Sequence, residues 1–145
     1  MAYCFFIDNL FIWTRLGSFA ALFLVAWSAP IFAIEPCGSG HRYTCIVDGD
    51  ALWLRGEKIR LQGFDTPETT TNICGGQKEI ILGRKATARL TQLLNSGEVS
   101  FRRVGQDKYG RTIADFYVDG TEVGDILIAE GLARRWPHGE EFWCN

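Results

Sequence analysis

Three short runs, "RYTCIV", "ALWLR" and "KIRLQGF", follow one another from Arg42 with only "DGD" and "GE" between them. Each run mixes β-branched or aromatic residues with polar ones in near alternation, and such short Asp- and Gly-bearing separators close hairpins. The segment therefore predicts a meander of three strands, and a meander dictates which chain ends meet. Asp48 and Asp50, at the first turn, share a rim with the end of the third strand, where "FDTPE" places Asp65, Thr66 and Glu68.

Beyond the polar loop "DTPETTTNICGG", apolar residues recur at helical spacing from Gln77 to Leu94, through Ile81, Leu82, Ala86, Leu90, Leu93 and Leu94, with Gly97 near the C-terminal cap. Two further strands, "EVSFRRV" and "RTIADFYV", flank "GQDKYG", and Asp119–Gly120 marks another tight turn. A second helix is expected from about Glu122 to Glu130, stopped by Gly131; the tail "RRWPHGEEFWCN" has no clear period. At 145 residues the chain suits one core. Strands with intervening helices predict an α+β, mainly β domain: a five-stranded Greek-key barrel of the oligonucleotide-binding (OB) type with two or three packed helices.

The N-terminus stands apart. Leu16 to Ala29, "LGSFAALFLVAWSA", is an unbroken apolar run after a lone Arg15, so residues 1–33 are expected to be an export signal peptide cut near Ala33, or an uncleaved membrane anchor. Residues 34–145 form the expected domain, secreted or periplasmic if the signal is cleaved and tethered at the membrane if it is not. Cys37, Cys45, Cys74 and Cys144 follow, an even number that favours disulfides in an exported domain. Three pairings are open; proximity favours Cys37 with Cys45 and Cys74 with Cys144, worth roughly 2.5 and 4.4 kcal/mol on the chain-entropy account. Zinc is disfavoured, because there is no C-x-x-C pair and His41 and His138 stand at no ligand spacing.

The net charge of −2 excludes a polybasic nucleic-acid binder, so any polyanion must be held by locally focused bases. Arg60 and Arg111 are the candidates. Arg60 lies five residues before Asp65, an odd separation that puts the two on opposite faces of a regular strand unless the chain bends at Gly63. Taken singly, "VDGD" reads as a hairpin turn, "DTPE" as a helix cap and Arg111 as a solvated turn residue. Taken together, clustered carboxylates suit a hard cation, two guanidiniums suit phosphate oxygens, and a spare carboxylate suits the activation of water. These are the parts of a phosphodiester hydrolase.

"VDGDALWLRGEKIRLQGFDTPE", "GRKATARLTQLL", "DKYGRTIADFYVDG" and "LIAEGLA", in this order from about Arg42 to Ala133, resemble the staphylococcal (micrococcal) nuclease family. The resemblance implies the OB-type barrel and Ca²⁺-dependent cleavage of DNA and/or RNA, by a monomer. It implies that Asp50, Asp65 and the backbone carbonyl of Thr66 bind Ca²⁺, with Asp48 close by. It further implies that Arg60 and Arg111 hold the scissile phosphate and that Glu68 activates water. The chain departs from the family at Ala51, where a hydroxyl is common, and in the uncharged "TTTNICGG" where the staphylococcal enzyme has a lysine-rich loop. The base-stacking tyrosines lack a clear counterpart, leaving Tyr109 or Trp136. A catalytically silent OB-fold module that binds nucleic acid or protein is the alternative, and a disulfide-stapled envelope domain a third; neither uses the full set of acids and arginines.

Overall fold

The structure is a computed structural model that describes residues 33–71 and 73–145, so the expected signal or anchor lies outside the described residues except for Ala33. The meander forms as expected: β1 (Cys45–Ile46), β2 (Ala51–Leu54) and β3 (Glu57–Leu61) pair antiparallel in order. Arg55 and Gly56, with φ of 53° and 84°, make the tight turn from β2 to β3, the handedness that suits a twisted hairpin.

After β4 (Phe64–Asp65), the chain crosses through helix α1 (Gly76–Ser96) to β5 (Val99–Gln106) and β6 (Thr112–Val118), an antiparallel pair. β6 then lies parallel to β3, which gives the sheet order β1-β2-β3-β6-β5. A second tight turn at Asp119–Gly120 folds β7 (Thr121–Glu122) onto β6, and α2 (Val123–Ala129) follows directly. The result is a mixed sheet with helices, and among the described residues no pairing joins β1 to β5 into a closed barrel.

Apolar side chains explain the packing. Ala86, Leu90, Leu93 and Leu94 line one stripe of α1 and are buried with Ile46, Leu52, Ile59 and Leu61 of the meander and Leu127 of α2. Ile81, counted with that stripe from its spacing, instead points outward, 46% exposed. Gly97 stands at the end of α1 but is extended, with φ of −149°, whereas Gly131 after α2 takes the left-handed conformation the sequence suggests. β5 is exposed along its length, and its Phe101 ring stacks on Phe116 at 5.0 Å.

Two features of the C-terminal tail lie beyond any periodicity. β8 (Arg134–Arg135) pairs antiparallel with β4, setting Arg134 opposite Asp65, and a 3₁₀ turn at Phe142–Cys144 packs against α1. The disulfides are Cys37–Cys45 and Cys74–Cys144, the pairing that chain proximity favours.

Glu57 stitches three strands together. From β3 it accepts a bond from Arg103 of β5 at 2.5 Å and from the Thr112 hydroxyl of β6 at 2.6 Å. These two bonds pull its pKa from 4.5 down to about 2. A carboxylate depressed in the folded state stabilises fully above its unfolded pKa and loses that contribution as pH falls through the folded one. Melting temperature is therefore expected to fall between pH 5 and 2 more steeply in the wild type than in Glu57→Gln, measured by circular dichroism; parallel slopes would show that Glu57 does not anchor the sheet.

Candidate active site

The β2–β3 register places Arg60 opposite Ala51, one residue from Asp50. The chain bends after β3 at Gly63, whose φ of 85° is costly for any side chain, and this bend returns Asp65 to the face that Arg60 occupies. The two guanidinium nitrogens then divide between two acids. Nη1 pairs with Asp50 Oδ2, and Nη2 donates to Asp65 Oδ1 at 2.9 Å and to the Phe64 carbonyl at 3.4 Å. Burial works against the Arg60 charge, yet Asp50 and Asp65 more than offset it and hold its pKa above the usual value.

Asp50 is buried, 5% exposed, and accepts the Thr66 N–H at 3.2 Å; its own N–H donates to Asp48 Oδ1 at 3.2 Å. Desolvation raises its pKa to about 7, with Arg60 opposing and Asp48 and Asp65 adding to the rise. Glu68 is exposed on the same cleft, and its pKa is also raised, first by desolvation and then by Asp50, Asp65 and Glu79, with Arg60 opposing. Asp48, Asp50, Asp65 and Glu68 outnumber the single guanidinium of Arg60 among them.

A buried acid that the sequence reading passed over holds the Glu68 loop. Glu79, in the first turn of α1 and 1% exposed, accepts the N–H of Glu68 at 3.2 Å, of Cys74 at 2.6 Å and of Gly75 at 2.8 Å. One turn on, Gly83 lets the Pro67–Glu68 backbone lie directly on the helix; a Cβ there would collide with both carbonyl oxygens. Arg134 was likewise missed, because it sits in the aperiodic tail. Its Nε and Nη2 donate to Asp65 Oδ2 at 3.1 and 3.0 Å. An acid in a first helical turn and an arginine after a helix are common surface features; burial against its own preceding loop distinguishes Glu79, and a contact 69 residues away distinguishes Arg134.

Arg111 lines the same cleft, about 790 Å³ in volume, but touches none of the acids around Arg60. Asp107 holds it, accepting from its backbone N–H at 2.9 Å and its Nε at 2.7 Å. Tyr109, 73% exposed, and Trp136, 53% exposed, stand on the cleft walls. Asp48, Asp50, Asp65, Glu68 and Asp107 face Arg60, Lys108 and Arg111 there, an excess of two negative charges when all are ionised.

Hard oxygen donors and an excess of negative charge when ionised fit a divalent cation. Asp65 receives three N–H bonds, leaving about one of its four lone-pair positions. Asp50, Asp65 and Glu68 are not, however, gathered as a ready cage. Among the described residues, the sole set of three Cys, His, Asp or Glu side chains with ligand atoms within 4.8 Å of one another is Cys74, Glu141 and Cys144. Its two sulfurs are spent in a disulfide, so it is no thiolate site.

Comparison with known proteins adds a finding of a different kind. The model of the Staphylococcal nuclease homologue family matches residues 58–141. Endonuclease YncB of Bacillus subtilis (strain 168) is 38% identical over 96 residues, covering 61% of this chain and 44% of the relative. The SPbeta prophage-derived endonuclease YokF of the same organism is also 38% identical over 96 residues, covering 61% of this chain and 31% of the relative. The succinoglycan biosynthesis protein ExoI of Rhizobium meliloti (strain 1021) is 26% identical over 126 residues, covering 82% and 65%. The chain thus spans less than half the length of the two endonucleases it matches.

Removing the Glu79 carboxylate leaves three N–H donors of the loop without their acceptor. Glu79→Ala is expected to lower the unfolding free energy by about 3 kcal/mol in a urea titration. Amide exchange at Glu68, Cys74 and Gly75 should accelerate, and unchanged exchange there would deny Glu79 its anchoring role.

Proposed function

Because the chain belongs to the staphylococcal nuclease family, its model matching residues 58–141, we propose that the protein is a calcium-dependent endonuclease acting on phosphodiester bonds of DNA and/or RNA. The observation that carries this proposal is the Arg60 guanidinium held between Asp50 and Asp65, with Glu68 and Arg111 on the same cleft. Asp50, Asp65 and the Thr66 carbonyl would hold the cation, with Asp48 as a neighbour. Bound there, Ca²⁺ supplies Lewis-acid stabilisation of charge on a phosphoryl oxygen.

The remaining chemistry falls to the side chains. Arg60 and Arg111 present planar, permanently charged donors to the non-bridging oxygens, which gain charge as the phosphorus is attacked. Glu68 takes a proton from the attacking water as the new P–O bond forms and the bond to the leaving sugar oxygen breaks, that oxygen taking a proton from solvent; the desolvation that raises the Glu68 pKa makes it a better base. Arg111 meets Asp107 through its backbone N–H and Nε and can offer its Nη groups to a phosphate as it stands, whereas Arg60 must loosen its bonds to Asp50 and Asp65, an exchange of one anion for another. Tyr109 and Trp136 offer ring faces to bases on either side.

The strand order and the Glu57 stitch between β3, β5 and β6 support reading the sheet as a curled OB-type barrel. The two disulfides support export to an oxidising compartment, and a monomer suffices for every role named here. A silent binding module would bind nucleic acid without turnover, and the presence of all five charged groups favours the enzyme.

Purified protein is expected to cut single-stranded DNA or RNA with Ca²⁺ and to stop on chelation. Glu68→Ala and Arg111→Ala should each lose on the order of 10²- to 10³-fold in kcat; full activity in both would defeat the mechanism. Protons compete with the cation for Asp50, so Ca²⁺ affinity measured by calorimetry should weaken as pH falls from 8 to 6, with proton uptake by Asp50 at about pH 7.

A further inference from the structure

Arg134 faces Asp65 across the β4–β8 pair, and four of its five guanidinium N–H groups have partners. Nε and Nη2 go to Asp65 Oδ2, Nη1 to the Gly139 carbonyl at 2.8 Å, and Nη2 also to Glu141 Oε1 at 2.7 Å. The Trp136 ring lies 5.1 Å from its central carbon and the Trp143 ring 6.0 Å. Only 8% exposed and absent from the cleft wall, Arg134 is not placed to touch substrate.

What surrounds it is anchored to the loop on the other side of the site. Cys144 is bonded to Cys74, and Gly75 lies so close to the Trp143 carbonyl that a Cβ would collide with it. Cys74 and Gly75 are held in turn by Glu79, which also holds the Glu68 N–H. A closed circuit therefore runs from Asp65 through Glu68, Glu79, Cys74, Cys144 and Arg134 back to Asp65.

Rotation of a carboxylate about its last torsion is soft, so an aspartate held at one oxygen presents the other over a wide arc. Here Arg60 takes Oδ1 and Arg134 takes Oδ2, and the circuit fixes where Arg134 stands. We infer that Arg134 is the positioning residue for Asp65, aiming its Oδ1 edge into the cleft for a divalent cation, with the disulfide-stapled tail as its mount. This inference rests on the assignment of Asp65 as a cation ligand. Arg134 reaches the cation only through Asp65, so its loss should weaken cation binding and turnover, and any change in nucleic-acid affinity would have to come through the Trp136 ring it packs on.

The test compares wild type, Arg134→Lys and Arg134→Met, each checked for folding by circular dichroism. Ca²⁺ affinity is measured by isothermal titration calorimetry without nucleic acid, and kcat and KM on single-stranded DNA. Loss of a group that orients a ligand typically costs about 10- to 100-fold in affinity or activity, and that loss is expected in Arg134→Met, with KM within about twofold and partial recovery in Arg134→Lys. If the methionine variant does not fold, a Ca²⁺ affinity of Arg134→Lys below wild type carries the inference, and equality with wild type overturns it. A folded Arg134→Met with wild-type Ca²⁺ affinity overturns the inference while leaving the nuclease proposal standing, provided wild type binds and cuts. A rise in KM with Ca²⁺ affinity intact overturns it too, because Arg134 would then serve substrate contacts, such as those of the Trp136 ring, rather than Asp65. A wild type that neither binds Ca²⁺ nor cuts removes both.

Discussion

A guanidinium buried between two carboxylates is the constraint on which the rest of this structure turns. Arg60 and Asp50 are both largely withdrawn from water, and a buried charge is tolerable only when paired and hydrogen-bonded. The β2–β3 hairpin brings Arg60 beside Asp50, and the left-handed Gly63 turns the chain so that Asp65 closes the pair from the other side. Neither strand end is free to drift without stranding a charge.

That pairing is also a poised state. Buried ion networks contribute little net stability, because desolvation consumes most of the Coulomb gain. Asp50 keeps a pKa raised to about 7 despite its arginine, chiefly because burial strips its carboxylate of water, with Asp48 and Asp65 adding to the rise. A fold selected for stability alone would fill this rim with apolar residues. Holding several acids and an arginine together there is understandable where a cation and a phosphate later divide them.

The tail shows how a segment without pattern comes to lie against a candidate site. β8 contributes two residues and the 3₁₀ turn three, yet Arg134 of β8 holds the Asp65 carboxylate and Cys144 of the turn is bonded to Cys74 in the loop after Glu68. Short pieces like these gain almost nothing from their own hydrogen bonds. Their order comes from the Cys74–Cys144 bond, from Trp143 buried against α1 and from the partners of Arg134.

The meander, both tight turns, the long helix and the rim of acids were legible in the sequence, because each depends on neighbours a few residues apart: alternation, an αL-tolerant Gly, a 3.6-residue stripe. Asp50, Asp65 and Glu68 could be placed on one rim for the same reason. The parallel meeting of β3 with β6, the exposure of β5 and the arrival of Arg134 at Asp65 belonged to tertiary structure alone, whereas the Arg111–Asp107 pair, four residues apart, and the Glu79 bonds to N–H groups 4 to 11 residues away are local contacts with no sequence period to mark them. Local rules carry no information about contacts 69 residues apart, such as that of Arg134 with Asp65, since those are set by which surfaces pack once the core has closed.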